Sequence, residues 1–374
     1  MKFATRLVHF NAAPGDPLHP SNTPIYQTAT FAQEEADAFG KFDYSRSGNP
    51  TRKVLEDQVA ALEQGTRGFA FSSGMAAIAT VTHLLSAGDE IVADYDLYGG
   101  ASRLFGKVIG RAGLTVSFVD AQDLAALEAA ITPKIKLVYI ESPTNPLLRI
   151  LDIAAISQIA HRHNALVCVD SSVMSPYLQN PLVLGADIAL HSGTKFLCGH
   201  SDVTAGVIAV QDEKLAQDIY FLQNAEGTAL APFDSYLLLR GLKTLKLRMD
   251  AQQASALKVA QFLAAHPRVS EVNYPGLPTH PGYELQKKQA TGPGTLLTFR
   301  AGSREAAKRI AEQTEYLKIA VSFGSVNSTI SIPAAMSHAS VPAEHARQIP
   351  DDLLRLSLGI EDVDDLLAAL NASL

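Results

Sequence analysis

Residues 165–195 read ALVCVDSSVMSPYLQNPLVLGADIALHSGTK, and two short apolar runs inside that stretch decide the architecture. Residues 165–169 are apolar throughout and end on Asp170; residues 188–190 are apolar throughout and end on His191, Ser192, Gly193, Thr194 and Lys195. A strand that is apolar on every residue belongs in a sheet covered by helices on both faces. Working outward, similar runs at 68–71, 90–93, 114–119 and 137–140 alternate with helical patterns from residue 51 to about residue 230. This rhythm predicts βα units and a central, mostly parallel sheet over 51–233. Residues 1–50, rich in Pro, Asn, Ser, Thr and aromatics, lack sustained periodicity and read as an arm that must pack on something. Beyond 233 a helical pattern runs from 234 to 266 and stops at Pro267, which cannot continue a helix. Segments at 295–299 and 320–323 and a final helix from about residue 363 suit a smaller α+β domain, giving a second unit over 234–374.

Composition narrows the function. The 374 residues carry 31 Lys and Arg against 38 Asp and Glu, a net charge of -7 that argues against a nucleic-acid partner. At 47% hydrophobic and 18% charged residues the chain can bury a large core. Two cysteines, Cys168 and Cys198, are too few to staple a secreted chain of this size, and residues 1–10 lack the apolar core of a signal peptide. A cytoplasmic location is the expectation. Residues 69–88 contain no Asp, Glu, Lys or Arg, but their Ser, Thr, His and Gly suit a strand, a turn and an interior helix better than a membrane span. No G-x-G-x-x-G follows a strand, and neither G-x-x-x-x-G-K-[ST] nor G-x-S-x-G occurs. His191, Cys198 and His200 have no second group at zinc spacing, so no metal site is expected.

Ligands of parallel α/β sheets bind at the carboxyl ends of the strands, which directs attention to the polar residues that follow the apolar runs. Asp170 fits a carboxylate facing a ligand, or a cap. Ser192, Thr194 and Lys195 fit a phosphate and a nucleophilic lysine, or a solvated lysine. The turn Phe71-Ser72-Ser73-Gly74-Met75 opens a helical run whose N–H groups favour an anion, a weak signal alone. Together these three exits offer a partner for a ring nitrogen, an amine for a carbonyl and a phosphate cup, which is the set that pyridoxal phosphate requires.

At this point the chain resembles a known family. The run HSGTKFLCGHSD (191–202) is similar to the lysine signature of the Cys/Met-metabolism pyridoxal-phosphate enzymes, the cystathionine lyases and synthases. So are YSRSGNPT (44–51), DLYGG (96–100), ESPTNP (141–146), RGLKTL (240–245) and RLSLGIED (355–362), and the likeness spans the chain. Within the family, FLQN (221–224), SFGSV (322–326) and MSHAS (336–340) look most like plant-type cystathionine β-lyases.

The resemblance implies the aspartate-aminotransferase-like fold type I of pyridoxal-phosphate transferases and pyridoxal 5'-phosphate as cofactor. It makes Lys195 both the covalent anchor and the base that moves the Cα proton. Asp170 pairs with the pyridine nitrogen, Tyr98 stacks on the ring and meets substrate, Asn145 bonds the ring oxygen, and Ser172 packs near the cofactor. The phosphate falls to the Gly74 and Met75 N–H groups, the Ser192 and Thr194 hydroxyls, and Tyr44 and Arg46 of a neighbouring subunit. That sharing implies a homo-oligomer, a tetramer built from active-site-sharing dimers. Arg355 clamps the substrate α-carboxylate, and Ser322 positions the same end of the substrate and Lys195. The implied reaction cleaves L-cystathionine to homocysteine, pyruvate and ammonia. Cystathionine γ-lyase, γ-synthase and homoserine-ester sulfhydrylase use the same contacts, and a noncatalytic relative is a third reading. Gly193, Phe196, Cys198 and Ser171 depart from common family residues, and Asn327 stands where γ-enzymes carry Glu, a departure expected to alter the distal substrate pocket.

Overall fold

The computed structural model describes residues 1–10, 16, 18–336 and 349–374. Its larger sheet has seven strands: β1 (Arg67–Phe71), β2 (Glu90–Asp94), β3 (Thr115–Val119), β4 (Ile135–Glu141), β5 (Leu166–Asp170), β6 (Ile188–Ser192) and β7 (Gly206–Val210), in the order β1-β7-β6-β5-β4-β2-β3. The pairs β2 with β3, β2 with β4, β4 with β5 and β5 with β6 are parallel. Helices cover both faces. One face packs Ile78, Val81, Phe105 and Ile219 against Cys168, Ile188 and Leu190; the other packs Ile153 and Ile156 against Val138 and Val167. β4 and β5 alternate between these two apolar layers, which is why the sequence shows no polar face there.

β7 lies antiparallel to both β6 and β1, and no separate strand is expected there from the sequence rhythm. The connection from Ser192 to Gly206 contains no crossover helix, so the chain must double back on itself. That reversal leaves the lysine loop 193–205 at the carboxyl end of β6, facing the sheet exits.

The smaller sheet contains β8 (Glu271–Asn273), β9 (Leu296–Arg300), β10 (Lys318–Ile319), β11 (Thr329–Ser331) and β12 (Leu353–Ser357), in the order β10-β11-β12-β9-β8. Helices Leu245–Ala265, Arg304–Gln313 and Val363–Ser373 bury Val259, Leu263, Ile310, Leu366 and Leu370 against it. One expectation needs correction. The helical pattern 234–266 is two helices, Pro232–Leu242 and Leu245–Ala265. The break falls where the Gly241 carbonyl accepts the Thr244 N–H and Arg248 Nη2 at 2.9 Å, bonds that end the first helix and anchor the second. The segment 320–323 is a loop: Ser322 has φ 81° and Gly324 φ 86°, and the chain leaves β10 folded against Lys195 and Phe196. No described helix is long and apolar enough to cross a membrane.

Candidate active site

The carboxyl ends of β4, β5 and β6, the start of the helix Gly74–Thr82 and the loop 321–323 enclose a cavity of about 400 Å³. Gly74, Met75, Tyr98, Asn145, Asp170, Ser172, Ser192, Thr194, Lys195, Ser322 and Arg355 all line it. Residues as far apart in the chain as Gly74 and Arg355 thus meet where the sheet topology alone predicts a ligand.

One wall is an anion cup. Ser73 caps the helix Gly74–Thr82 by accepting the Ala76 N–H at 3.0 Å, which leaves the first N–H groups of the helix without intrahelical partners. A Cβ added to Gly74 would lie 3.2 Å from Ser192 Oγ, so a serine hydroxyl borders the helix start. Helix-end N–H groups and the macrodipole favour a phosphate there.

The floor is acidic. Asp170 accepts the Ser172 N–H at 2.9 Å, and the Tyr139 hydroxyl lies 3.4 Å from its other oxygen. Ser172 Oγ in turn accepts the Ser192 N–H at 2.6 Å, locking β5 to β6 at their exits. Burial raises the Asp170 carboxyl above the usual aspartate range, opposed by the Ser172 bonds and the nearby His191.

The reactive amine stands opposite. Lys195 Nζ donates to Ser322 Oγ at 2.5 Å and lies 4.9 Å from the centre of the Phe323 ring. Burial, reinforced by the Arg355 charge and opposed by Asp170, lowers the amine to about 8, so a sizeable neutral fraction exists near neutral pH. Arg355, on β12, is 2% exposed; Nη1 donates to Asn145 Oδ1 at 2.7 Å and Nη2 to the Ser322 carbonyl at 2.8 Å. Its Nε has no partner, and no carboxylate pairs with it, among the described residues. Burial lowers it to about 10. A buried guanidinium bonded only to neutral acceptors is ready for an anionic substrate group.

Tyr44 and Arg46 do not join this cavity within one chain. Tyr44 is 44% exposed, and Arg46 donates to the Asn224 carbonyl at 2.7 Å. Asn327 is exposed and does not line the cavity of one chain. The turn at Gly324 carries 325–327 back toward the lysine loop, where the Val326 N–H reaches the Gly199 carbonyl at 2.9 Å; Val321 lines the cavity instead. Of the segment 336–340, Met336 lines the cavity and residues 337–340 lie outside the described residues. Glu141 and Phe323 are among the lining residues to which the sequence reading assigns no role. Glu141 ends β4 as Asp170 ends β5, so the same signal could have found it; Phe323, beneath Lys195 and Arg355, carries no such signal.

A profile of the family described as Cys/Met metabolism PLP-dependent enzyme matches residues 4–374. The chain belongs to this family. It is 55% identical over 358 residues to the chloroplastic cystathionine beta-lyase of Arabidopsis thaliana, covering 95% of this chain and 77% of that protein. It is 46% identical over 372 residues to cystathionine beta-lyase of Lactococcus lactis subsp. cremoris (strain MG1363), covering 99% and 98%. The crystal structure of cystathionine gamma-lyase from Lactobacillus plantarum complexed with L-serine superposes with a TM-score of 0.96 at 45% identity, covering 100% and 99%. The protein is therefore a pyridoxal-phosphate-dependent enzyme of fold type I.

Features of the site itself fit the cofactor. It needs an anion cup, a carboxylate for its ring nitrogen and an amine for its carbonyl, and the cavity holds one of each. The orphaned Nε of Arg355 remains as a further donor on the opposite wall.

Proposed function

We propose that this enzyme is a carbon–sulfur β-lyase that cleaves L-cystathionine to homocysteine, pyruvate and ammonia. The observation that carries this reading is the 55% identity with the Arabidopsis β-lyase along 95% of the chain. Val321, Phe323 and Met336 add an apolar side to the cavity, which suits a thioether chain. When bound, the cofactor supplies a carbonyl for amines and an electron sink for a Cα–H bond.

The chain's own residues do the rest. Gly74 and Met75 N–H groups with the Ser192 and Thr194 hydroxyls would hold the phosphate, and Asp170 would keep the ring nitrogen protonated. Tyr98 would cover the ring and Asn145 would meet its oxygen, while Ser172 supports Asp170. Arg355 grips the α-carboxylate, fixing which Cα bond faces Lys195. Lys195 Nζ, held by the Ser322 hydroxyl, accepts the Cα proton and can return it to a leaving group. A second copy of the chain supplies Tyr44 and Arg46, in a tetramer of site-sharing dimers; the exposed Tyr44 and the absence of both residues from the cavity support this. The two free, buried cysteines support a cytoplasmic location.

The test is product analysis of purified holoenzyme with L-cystathionine. Homocysteine and pyruvate are expected. Cysteine and 2-oxobutyrate as the main products would establish γ-cleavage instead, the second reading, which the likeness to the Lactobacillus γ-lyase favours.

A further inference from the structure

Glu141 and Asp170 end neighbouring parallel strands, and the register pairs them directly. Glu141 is 5% exposed and lines the cavity. Its Oε1 accepts the backbone N–H of Tyr98 at 2.8 Å, a neutral donor, and no salt bridge reaches it among the described residues. The charges around it are mostly negative. Asp170 faces it from β5, and Asp94 and Asp96 face it from the exit of β2. The Arg149 guanidinium is held by Asp94 and Asp120, and Arg103, from the helix Gly99–Lys107, lines the same cavity. The Tyr139 hydroxyl, on the same strand, turns to Asp170.

We propose that Glu141 is a positioning residue that works as a neutral carboxylic acid: it keeps its proton, fixes Tyr98 through the backbone N–H, and leaves Asp170 as the sole negative charge offered to the cofactor's ring nitrogen. This rests on the reading of Tyr98 and Asp170 as cofactor contacts. Adjacent carboxyls in a low-dielectric site do not both ionise, and the one that gains a cationic partner is the one that gives up its proton. Burial, and then the Asp170 charge, push Glu141 well above the ordinary glutamate range. Protonation costs the Tyr98 contact nothing, because the carbonyl oxygen of the acid still accepts the N–H. An ionised Glu141 would compete with Asp170 for the ring proton and repel it.

Glu141→Gln and Glu141→Leu separate the charge from the contact. The Gln side chain keeps the shape and an acceptor oxygen, whereas Leu removes the acceptor. Titration of apoprotein with pyridoxal phosphate near neutral pH should show the Leu variant binding at least about tenfold more weakly than the Gln variant. Thermal unfolding of the apoproteins reads the proton without the cofactor. An acid whose folded pKa is raised loses stability as pH rises from the ordinary glutamate value through the folded one. Wild type should therefore fall behind Glu141→Gln progressively as pH rises above the ordinary glutamate range, the direction that a raised folded pKa dictates. A Tm gap that stays constant with pH overturns the neutral-acid assignment, as does a Gln variant that binds no better than Leu. Wild-type protein that binds no cofactor would instead sink the reading of the site, and the unfolding series would still judge the proton. Burial also raises the carboxyl of Glu56, so that residue is replaced to leave Glu141 as the described glutamate so raised; if Glu141→Gln does not fold, infrared spectra of ¹³C-glutamate-labelled Glu56→Gln protein decide, a protonated glutamate band at neutral pH upholding the proposal and its absence overturning it.

Discussion

Arg355 on the smaller sheet reaches Asn145 beyond the larger one, Nη1 to Oδ1 at 2.7 Å, so a single guanidinium ties the two sheets together across the cavity. Its second arm holds the Ser322 carbonyl, and Ser322 holds Lys195. The group that would bind the substrate carboxylate thus also sets the loop that positions the base. Arg355→Lys retains a charge but loses the planar fork. Truncating one partner of a buried charged contact costs about 2–5 kcal/mol, so kcat/KM should drop by roughly 30-fold or more. Steady-state kinetics should place most of the loss in KM, with a smaller part in kcat because Ser322 shifts. A change in kcat alone would contradict the carboxylate role.

The Lys195 amine, lowered to about 8 chiefly by burial, predicts a pH profile for cofactor capture. A lysine with a depressed pKa is cationic below that value and a nucleophile above it. The rate at which apoenzyme develops the absorbance of bound pyridoxal phosphate should therefore rise as pH passes through about 8. The neighbouring Arg355 charge contributes to the depression, so Arg355→Met should move the midpoint upward. Lys195→Ala should abolish covalent capture and reduce turnover by roughly 100-fold or more, the usual size of a lost general base. An unchanged midpoint in Arg355→Met would show that burial alone sets the amine.

Tyr98 depends on a glycine. It stands at the N-cap of the helix Gly99–Lys107, and a Cβ on Gly100 would overlap the Tyr98 ring and approach Met75 Sδ to 2.8 Å. Gly100→Ala must push the ring aside or move the helix start. Overpacking of this kind costs about 1–3 kcal/mol. Because the ring is 39% exposed and can move outward, the cost should fall on cofactor affinity more than on apoprotein Tm. Parallel measurement of both checks this; an equal loss in the two would mean the backbone had yielded instead.

What could be read from the sequence follows the physics of each element. Strands β4, β5 and β6 are legible because helices cover both faces and leave uninterrupted apolar runs, and their polar exits name Asp170 and Lys195. β7 is not legible, because it enters antiparallel without the helix that marks the other units. The 320–323 segment has the composition of a strand, yet left-handed Ser322 and Gly324 fold it into a loop; only the packing against Phe196 and the bond from Gln252 Nε2 to the Ser325 carbonyl at 2.7 Å reveal why. Glu141 was missed although its position repeats that of Asp170. A carboxyl with a neutral backbone partner leaves no pattern that distinguishes it from a strand-end cap.

Tyr44 and Arg46 permit a decisive test of subunit sharing. Arg46 Nη1 is tied to the Asn224 carbonyl, the Tyr44 ring is 44% exposed, and neither residue lines the cavity of its own chain. If they complete the phosphate site of a second copy, Arg46→Ala and Lys195→Ala damage different halves of one site. Each variant alone should be severely impaired, Lys195→Ala by loss of the base and Arg46→Ala by weakened phosphate binding. A mixed dimer contains one site with both defects and one with neither. Random reassociation of equal amounts yields half mixed dimers, so about a quarter of all sites should be intact and activity should return to about a quarter of wild type. Reversible dissociation and remixing, followed by activity and cofactor titration, measures that fraction. Recovery requires the arm to cross between chains; two variants that stay inactive after verified exchange would place Arg46 outside the neighbour's site.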